Sequence, residues 1–379
     1  MPKRILTCIG TRPELVKLAP VIRALEQQPE EFESLVCFTG QHRQLLSQAA
    51  AVFGIKPDLN LDLMQADQGL ATFVGRALPA LQEILIDRKP DLVLVQGDTS
   101  TVFCAALAAY YQQIPVGHVE AGLRTDNKYV PFPEEMNRRL ATRLADLHFA
   151  PTETARQALL REGVPAESIH VTGNTVIDAL QWMRAHLEGY QPHLPVSLLK
   201  ELPDRRVVLI TGHRRENFGE GFQQICAGIA ESALKHPQVL FVYPVHLNPQ
   251  VQQPVMKLLG DIPNITLLDP LDYKDFVWLM DRSHLVLTDS GGVQEEAPAL
   301  GKPVLVMREV TERPEGIEAG VARLVGADRQ RILDNLEELL TDSKAYAAMA
   351  VSKNPYGDGH ASERIVEVVR KMNRTLKNE

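Results

Sequence analysis

Carboxylate side chains at three places in the first half of the sequence could do acid–base chemistry. Asp98 follows the apolar run 92–95, and Glu120 directly follows another apolar run. Glu134 and Glu135 stand at a predicted helix start, where a carboxylate stabilises the helix dipole. That role accounts for one of them, but three sites exceed what capping needs. Carboxylates in unlike surroundings can have pKa values far enough apart for one to act as acid and another as base.

Asp98 also has a plainer explanation, because an aspartate before a helix often caps it. The helix predicted over 100–112 begins just after Asp98 in the sequence. Thr99 or Ser100 can take the capping role instead, and Asp98 would then be available for chemistry.

Two cations stand where the first apolar run turns into a predicted helix. Arg12 lies within the turn 10–14 (GTRPE), and Lys17 follows about one helical turn later. Helix N-termini favour anions, and an arginine adds a bidentate donor. The turn contains no G-x-G-x-x-G motif, so the dinucleotide fingerprint is absent. These residues indicate either an anion site or a capped helix with two solvated cations.

A run of small residues in the second half is a candidate phosphate site. Ser290, Gly291 and Gly292 precede a predicted helix, so their backbone N–H groups would be exposed at its N-terminus. Glu296 lies in the first turns of that helix, where it could accept hydrogen bonds from sugar hydroxyl groups. Cations follow other predicted strands of this half, and one or two of them should face the phosphate. They are His213, Arg214, Arg215 and Arg313.

The elements that position these residues alternate between short apolar runs and longer amphipathic stretches. The apolar runs are rich in β-branched residues and are bounded by Gly, Pro or Asp, as strands are. In the first half the predicted strands are 4–9, 34–39, 91–96, 115–119, 146–149 and 168–171. In the second half they are 206–211, 238–243, 264–268, 284–288 and 303–307. Apolar strands with helices between them predict an α/β fold of parallel, doubly wound sheets.

Two series of strands and helices predict two Rossmann-like domains that face each other across a cleft. The N-terminal domain is expected at residues 1–172, joined by a C-terminal helix at 360–379. The second domain is expected at 173–359, and its Pro- and Leu-rich stretch 191–203 is predicted to be a loop. In both halves the first strand runs into a turn with Gly and Arg, which would place these turns on opposite walls of the cleft.

The composition excludes several classes of protein. Of the 379 residues, 45% are hydrophobic and 23% are charged, which is typical of a globular protein and not of a disordered chain. The net charge of −8 argues against nucleic acid and against anionic membranes as partners, because both need a basic surface. No apolar run is long enough to span a membrane, and no pattern of a metal site is present. The apolar N-terminal run is too short for a signal peptide, so we expect a cytoplasmic protein.

The cysteines are expected to be buried free thiols. None of them stands in a C-x-x-C motif, and each lies in an apolar run. They are Cys8, Cys37, Cys104 and Cys226.

Nine short motifs, in order along the chain, resemble those of the non-hydrolysing UDP-N-acetylglucosamine 2-epimerases. Each motif alone is weakly specific, but their number and order make the resemblance highly specific. It extends from residue 3 to about residue 370. The motifs are GTRPE at 10–14, GDT at 97–99, HVEAGLRT at 118–125, PEEMNR at 133–138, TGNTVIDAL at 172–180, TGHRREN at 211–217, YPVHLNP at 243–249, DSGGVQEEAP at 289–298 and TERPE at 311–315.

The resemblance implies a fold like that of the GT-B glycosyltransferases, with a substrate cleft between two Rossmann-like domains. It implies a cytoplasmic homodimer that interconverts UDP-N-acetylglucosamine and UDP-N-acetylmannosamine without a metal or other cofactor. In this family UDP is thought to be eliminated to leave an enzyme-bound 2-acetamidoglucal. UDP then adds back, with C2 protonated from the other face. The product is expected to supply bacterial surface-polysaccharide synthesis.

The resemblance also assigns roles to the residues that match its motifs. The implied catalytic residues are Asp98, Glu120, Glu134 and His213, and which carboxylate is base and which is acid stays open. The sugar and diphosphate would be contacted by Arg12, Lys17 and His213. The phosphate would be bound by Ser290, Gly291 and Gly292, and the ribose by Glu296. The uracil would be framed by Leu271 and Phe276, and Arg313 would complete the nucleotide site.

Some members of the family bind a second UDP-N-acetylglucosamine as an activator. The candidate residues for such an allosteric site here are Gln41, His42, Arg43, Gln68 and His246. The alternative is a solvated loop and a structural histidine.

Three other functions share part of this pattern. A GT-B-type glycosyltransferase that uses a UDP-sugar has the same fold but could dispense with the three carboxylates. A hydrolysing epimerase would release UDP and free N-acetylmannosamine. A non-catalytic nucleotide-sugar sensor would be expected to have lost the carboxylates, which are all present in this sequence.

Overall fold

Helices alternate with parallel strands in both halves of the chain, as the sequence predicts. The computed structural model describes residues 1–40, 43–65, 68–351 and 354–372. The chain divides into two compact units, each built around one sheet. Met183–Pro355 form the second unit, and the described residues before and after this range form the first.

The described part of the first unit begins with seven strands and seven helices. The strands are β1 (Lys3–Ile9), β2 (Phe32–Phe38), β3 (Leu59–Asn60), β4 (Leu92–Gln96), β5 (Val116–Val119), β6 (Leu147–Ala150) and β7 (Ile169–Val171). The helices are α1 (Arg12–Glu26), α2 (Arg43–Phe53), α3 (Leu70–Arg88), α4 (Ser100–Tyr111), α5 (Glu134–Leu144), α6 (Glu153–Arg161) and α7 (Thr175–Ala185), with a 3-10 turn at Ala166–Ser168.

The second unit repeats this alternation, and one more helix then returns to the first unit. The strands are β8 (Val207–Thr211), β9 (Leu240–Pro244), β10 (Ile265–Leu268), β11 (Leu285–Thr288), β12 (Val304–Val306) and β13 (Ala322–Leu324). The helices are α8 (Val196–Glu201), α9 (Glu220–Lys235), α10 (Pro249–Leu259), α11 (Tyr273–Arg282), α12 (Gly291–Ala299), α13 (Pro314–Glu318), α14 (Arg329–Thr341), α15 (Ser343–Met349) and the returning α16 (Ala361–Lys371), with a 3-10 turn at Arg215–Asn217.

Both sheets have the strand order of a Rossmann fold. The order is β3-β2-β1-β4-β5-β6-β7 in the first unit and β10-β9-β8-β11-β12-β13 in the second, and the paired strands of the described chain are parallel. The order reverses between β1 and β4 and between β8 and β11. Open sheets bind ligands at the carboxyl ends of the strands beside such a point. The predicted α/β class with two Rossmann-like domains is confirmed.

The central strands are apolar because helices cover both of their faces. In β4, Val93 is wholly buried and packs in one core with Phe73 of α3 and Val102 of α4. In the second unit, Leu287 of β11 shares a core with Phe222 of α9. These two cores hold the strand ends in place. The turns that follow β1, β4, β8 and β11 therefore begin at well-packed positions.

The four cysteines are free and buried, as predicted. Cys8 and Cys37 are direct neighbours on β1 and β2. Burial raises the pKa of Cys104 and of Cys226 to about 12, so both thiols stay protonated at neutral pH.

The segment 191–203 corrects one prediction, because it is not a loop throughout. It contains α8, whose Leu198 side chain is buried. A helix of six residues is too short to show a hydrophobic period, so the sequence pattern does not reveal it. Its stability comes from a tertiary contact, the burial of Leu198. For the same reason of length, the pattern does not predict the short elements β3, β13, α13 and α15. No helix in the described part of the chain is long and apolar enough to cross a membrane.

The boundary between the units falls later than the predicted domain boundary. The first unit continues to Trp182 and resumes at Tyr356, whereas the sequence predicts a break after residue 172 and a return at 360. Helix α7 accounts for the difference, because its side chains contact the first unit. The ring of Trp182 lies 5.2 Å from that of Phe53 of α2, measured between centroids.

Asp178 of α7 caps the returning helix α16. Its Oδ1 accepts hydrogen bonds from the backbone N–H of Ser362 at 2.7 Å and from the hydroxyl of Ser362 at 2.6 Å. Its Oδ2 accepts from the N–H of Ala361 at 3.2 Å. The first N–H groups of a helix have no partner within the helix, so this buried carboxylate replaces water there.

Replacing Asp178 by alanine should therefore loosen α16. Three donors lose their acceptor, which we expect to cost ~1–3 kcal/mol of unfolding free energy. Urea unfolding should shift to a lower midpoint, and the amides of α16 should exchange faster with D2O. The control Asp334→Ala, on the exposed side of α14, should shift neither quantity measurably. Unchanged exchange at Ala361 and Ser362 would contradict the capping role.

Candidate active site

A buried ion pair lies at the carboxyl end of the first sheet. Lys17 Nζ is 2.6 Å from Glu120 Oε2, and both side chains are less than a tenth exposed. The side-chain amide of Gln96 donates to the same carboxylate oxygen. These residues come from α1 and from the ends of β4 and β5, which the sheet order brings together. A buried carboxylate is costly unless it is paired, and this pairing makes Glu120 tolerable at its position.

The backbone at Glu120 adopts an uncommon conformation. Its φ is +64°, in the left-handed region that residues with a Cβ rarely occupy. Such conformations cost of order 1–3 kcal/mol and occur preferentially at functional sites. Just past it, the N–H of Ala121 donates to the carbonyl oxygen of Phe149 on β6, which holds the turn after β5 in place.

Glu14 organises the turn that leads into α1. Its Oε2 accepts hydrogen bonds from the N–H groups of Gly10 at 3.0 Å and Thr11 at 2.6 Å. Its Oε1 accepts from the hydroxyl of Thr99 at 2.7 Å, so one carboxylate joins the turns after β1 and β4. Complete burial raises the pKa of Glu14 to about 7, although the hydrogen bonds oppose the rise. Arg12, the first residue of α1, is exposed beside this turn.

Thr99, and not Asp98, caps α4. The hydroxyl of Thr99 accepts from the N–H of Val102 at 3.4 Å. Asp98 instead pairs with Arg138 of α5, with 2.5 Å between Oδ2 and Nη2, and its carbonyl oxygen accepts from Asn137 at 2.9 Å. The capping explanation of Asp98 is therefore wrong, and its carboxylate is partly exposed.

The two glutamates at the start of α5 differ in their surroundings. Glu135 is wholly buried, and its Oε1 lies 2.8 Å from Arg139 Nε on the same helix. Its Oε2 accepts from the N–H of Thr125 at 3.3 Å. Glu134, the first residue of the helix, is partly exposed. The structural role thus falls to Glu135, and Glu134 is the one that a ligand can reach.

Backbone contacts link the turns that carry Asp98 and Glu120. The N–H of Gly97 donates to the carbonyl oxygen of Val119 at 3.0 Å. The Nε2 atom of His118 lies 2.7 Å from the carbonyl oxygen of Gly97. Burial lowers the pKa of His118 to about 4, so its neutral ring donates this hydrogen bond through Nε2. These two hydrogen bonds therefore hold the turns after β4 and β5 together.

In the second unit, Asp289 directly follows β11 and anchors the turn after β8. Asp289 is wholly buried, and its Oδ2 accepts hydrogen bonds from the N–H groups of His213 and Arg214, each at 2.8 Å. Its Oδ1 lies 3.6 Å from Nδ1 of His213, whose side chain is 41% exposed. His213 therefore stands at the carboxyl end of the sheet with its ring accessible to a ligand.

Arg313 is buried among carboxylates. Its Nε lies 2.6 Å from Glu295 Oε1, and its Nη1 lies 2.6 Å from Glu312 Oε1. Arg308 lies 2.7 Å from the other oxygen of Glu312. Burial alone would raise the pKa of Glu312, but the two guanidinium groups outweigh it and lower that pKa. A Cβ on Gly291 would come within 2.7 Å of the guanidinium of Arg313, so the glycine lets this cation lie against the start of α12.

The remaining nucleotide candidates lie at the starts of α11 and α12. Glu296 Oε1 accepts from the hydroxyl of Tyr273 at 2.7 Å. Leu271 and Phe276 are half-buried on either side of the first residue of α11. Ser290 precedes α12, and its N–H donates to the hydroxyl of Thr288 at 3.0 Å.

The allosteric candidates are only partly within the described chain. Gln41 and His42 lie outside the described residues, and Arg43 is the first residue of α2. Gln68 accepts a hydrogen bond from Arg76 at 3.4 Å. His246 stacks on His213 with 5.2 Å between ring centroids. In the part of the chain that the structure describes, no group of three or more His, Cys, Asp or Glu side chains could hold a metal ion.

Known proteins resemble this chain over nearly its whole length. The family model described as UDP-N-acetylglucosamine 2-epimerase matches residues 23–370. A UDP-N-acetylglucosamine 2-epimerase of Escherichia coli strain K12 is 52% identical over 370 residues, which cover 97% of this chain and 98% of that protein. The chain belongs to the UDP-N-acetylglucosamine 2-epimerase family.

Solved structures of the family share this fold. The crystal structure of a UDP-GlcNAc 2-epimerase from Neisseria meningitidis bound to UDP-GlcNAc has a TM-score of 0.91 and 47% identity, and covers 97% of this chain and 100% of that one. An S. aureus MnaA–UDP co-structure has a TM-score of 0.89 and 44% identity, and covers 97% of this chain and 96% of that one. Enzymes of this family are isomerases, and the predicted enzyme class is confirmed.

Several side chains that contact the candidate residues have no role in the sequence-based prediction. Gln96 directly precedes the motif at 97–99, and Glu14 is the last residue of the motif at 10–14, but neither motif assigns it a role. Arg138 lies in the motif at 133–138, and its partner Asp98 is 40 positions away. Their position in or next to the motifs is the available signal, but only the folded chain shows which partner each one contacts.

The unfolding free energy of the protein should depend on pH because of Glu14. Its pKa is about 7 in the folded chain and roughly 4.5 in the unfolded chain, so the folded state binds the extra proton. This contribution to stability is complete below about pH 4.5 and is lost as the pH rises through 7. In Glu14→Gln, which stays neutral, the unfolding free energy relative to wild type should rise by ~1–3 kcal/mol between those pH values.

Urea unfolding at a series of pH values measures this difference. Glu83→Gln is the matched control, because Glu83 is exposed on α3 and loses little solvation on folding. If Glu14→Gln and wild type kept a constant difference in unfolding free energy from pH 4.5 to 7.5, the assignment to Glu14 would fail.

Proposed function

We propose that this chain interconverts UDP-N-acetylglucosamine and UDP-N-acetylmannosamine by eliminating UDP and adding it back. The observation that carries this proposal is the buried Lys17–Glu120 pair beside the Asp98 turn, in a chain of this family. This edge of the first sheet therefore carries several ionisable groups in unlike surroundings. Glu120 is buried beside a cation, whereas Asp98 and Glu134 are partly exposed. Unlike surroundings are what separate acid from base.

The reaction needs a proton to leave C2 and another to arrive on its opposite face. A carboxylate takes the C2 proton while the bond between C1 and the phosphate oxygen breaks, so that UDP leaves and a C1–C2 double bond forms. Protonation of C2 from the other face and return of the UDP oxygen to C1 then give the epimer. Asp98, Glu120 and Glu134 are the groups that we assign to these proton transfers.

The departing UDP needs cations and helix N-termini that stabilise its charge. In this proposal Ser290, Gly291 and Gly292 hold phosphate at the start of α12, and Arg313 completes that site. Arg12, Lys17 and His213 contact the sugar and diphosphate, while Glu296 binds ribose and Leu271 and Phe276 frame the uracil. The Neisseria meningitidis and S. aureus structures, which contain UDP-GlcNAc and UDP, support a ligand of this class.

The wider role of the enzyme is also part of the proposal. Its product would supply bacterial surface-polysaccharide synthesis. The homodimer, the cytoplasmic location and activation by a second UDP-N-acetylglucosamine stay predictions.

Deuterium exchange tests the mechanism directly. Incubation with UDP-N-acetylglucosamine in D2O should yield both epimers with deuterium at C2, because the proton returns from solvent-exchanged groups. Mass spectrometry and NMR of the recovered sugar nucleotides measure this incorporation. Epimers without deuterium would refute the proton transfers, and stoichiometric release of free UDP and N-acetylmannosamine would favour the hydrolysing alternative.

The carboxylates can be tested one at a time. Asp98→Asn and Glu134→Gln should each lower kcat by at least ~10²-fold, because each removes a group that moves a proton. The controls Asp87→Asn and Glu83→Gln make the same chemical changes at exposed positions of α3 and should keep the wild-type rate. Wild-type turnover in either of the first two variants would remove that residue from the mechanism.

A further inference from the structure

We propose that Asp289 is a positioning residue that acts through His213. In this view Asp289 accepts a hydrogen bond from Nδ1 of His213 and thereby sets the tautomer of the ring. Nε2 then faces the diphosphate end of the substrate. The inference rests on the proposed function only in that it takes His213 to contact this part of the ligand.

The two oxygens of Asp289 have different surroundings. Oδ2 accepts from the backbone N–H groups of His213 and Arg214, each at 2.8 Å, and lies 3.5 Å from the side-chain amide of Asn217. Oδ1 has no hydrogen-bond partner among the described residues, although the side chain is wholly buried. A buried carboxylate oxygen without a partner is uncommon and calls for an explanation. Anchoring the turn requires Oδ2 alone, so it does not explain Oδ1.

Oδ1 points toward the ring of His213. The distance from Oδ1 to Nδ1 is 3.6 Å, which is longer than a hydrogen bond. Hydrogen bonds of this kind are often long in a ligand-free site and shorten when the ligand is bound. The backbone N–H of His213 donates to the other oxygen of Asp289, which keeps the ring beside Oδ1.

A second contact fixes the plane of the His213 ring. His246 stacks on it with 5.2 Å between centroids and 14° between the planes. The ring of His246 is itself held, because its Nδ1 accepts from the N–H of Asn248 at 3.1 Å. His213 thus has one face against a fixed ring and one nitrogen beside a fixed carboxylate.

This arrangement has a chemical consequence at Nε2. The hydrogen bond that one ring nitrogen makes decides which nitrogen of a neutral histidine carries the proton. With Nδ1–H directed at Asp289, Nε2 accepts a hydrogen bond when the ring is neutral and donates one to a phosphate oxygen when the ring is protonated. The negative charge of Asp289 stabilises the protonated ring. This is the form that would stabilise the negative charge of the departing UDP.

The wild-type protein provides the first test. The full chain, labelled with ¹⁵N in histidine, is recorded without ligand in long-range ¹H–¹⁵N correlation spectra at alkaline pH, where the ring is neutral. The signals of His213 are identified by their loss in His213→Gln. We expect Nδ1 to carry the proton. A neutral ring protonated at Nε2, the form that solvated histidine favours, would overturn the proposal.

Asp289→Asn provides the second test, because the amide keeps the shape of the carboxylate. Its oxygen can still accept from the two backbone N–H groups, which leaves its NH2 group facing Nδ1 of His213. The ring should therefore switch to the tautomer protonated at Nε2, and kcat should fall at least roughly tenfold, with a smaller change in KM. The control Asp328→Asn changes the exposed cap of α14 and should alter none of these quantities.

A double-mutant cycle separates this role from a merely structural one. In the His213→Gln background, adding Asp289→Asn should lower kcat by less than about threefold further, because Asp289 acts through the ring that is already missing. A full additional loss, or an unchanged tautomer in Asp289→Asn, would contradict the proposal. If Asp289→Asn does not fold, the wild-type tautomer still decides the matter. A chain with the expected tautomer but without epimerase activity would refute the proposed function alone.

Discussion

A charge that is buried at the end of a strand has to be paired, and the first unit is arranged around this requirement. Lys17, Gln96 and Glu120 come from three elements and meet at one carboxylate oxygen. Removing the lysine would leave a buried charge without its counter-ion, which is far more costly than never burying the pair. The left-handed backbone at Glu120 persists because the packed strands on either side of β5 hold the turn.

The second unit meets the same requirement in another way. The buried carboxylate of Asp289 accepts hydrogen bonds from backbone N–H groups, whose dipoles are permanent. The guanidinium of Arg313 is shared between Glu295 and Glu312, so its direction is set before any ligand arrives. Groups that are oriented in advance stabilise a developing charge without reorganising, and in many enzymes this stabilisation lowers the reaction barrier more than any other effect. Both units therefore hold their charged side chains in preformed networks at the carboxyl ends of parallel strands.

Hydrophobic pattern predicted the long elements well and the short ones poorly. Strand β4 and helix α4 were placed within one residue of their ends, because buried strands are continuously apolar and the helix between them is long. Helix α8 and strand β3 were missed, because two to six residues are too few to show a period and their stability comes from contacts with distant parts of the chain.

The amino-acid sequence was sufficient for the α/β class, for the strand ends that carry polar side chains, and for the resemblance to the epimerase family. It was not sufficient to assign partners. Glu134 and Glu135 are adjacent and chemically alike, yet only the folded chain shows that Glu135 is buried against Arg139. Lys17 and Glu120 are 103 positions apart, and nothing local in either motif indicates that they form a pair. Local pattern reports which face of an element is buried, whereas the partner of a buried charge depends on which strands the sheet order makes neighbours.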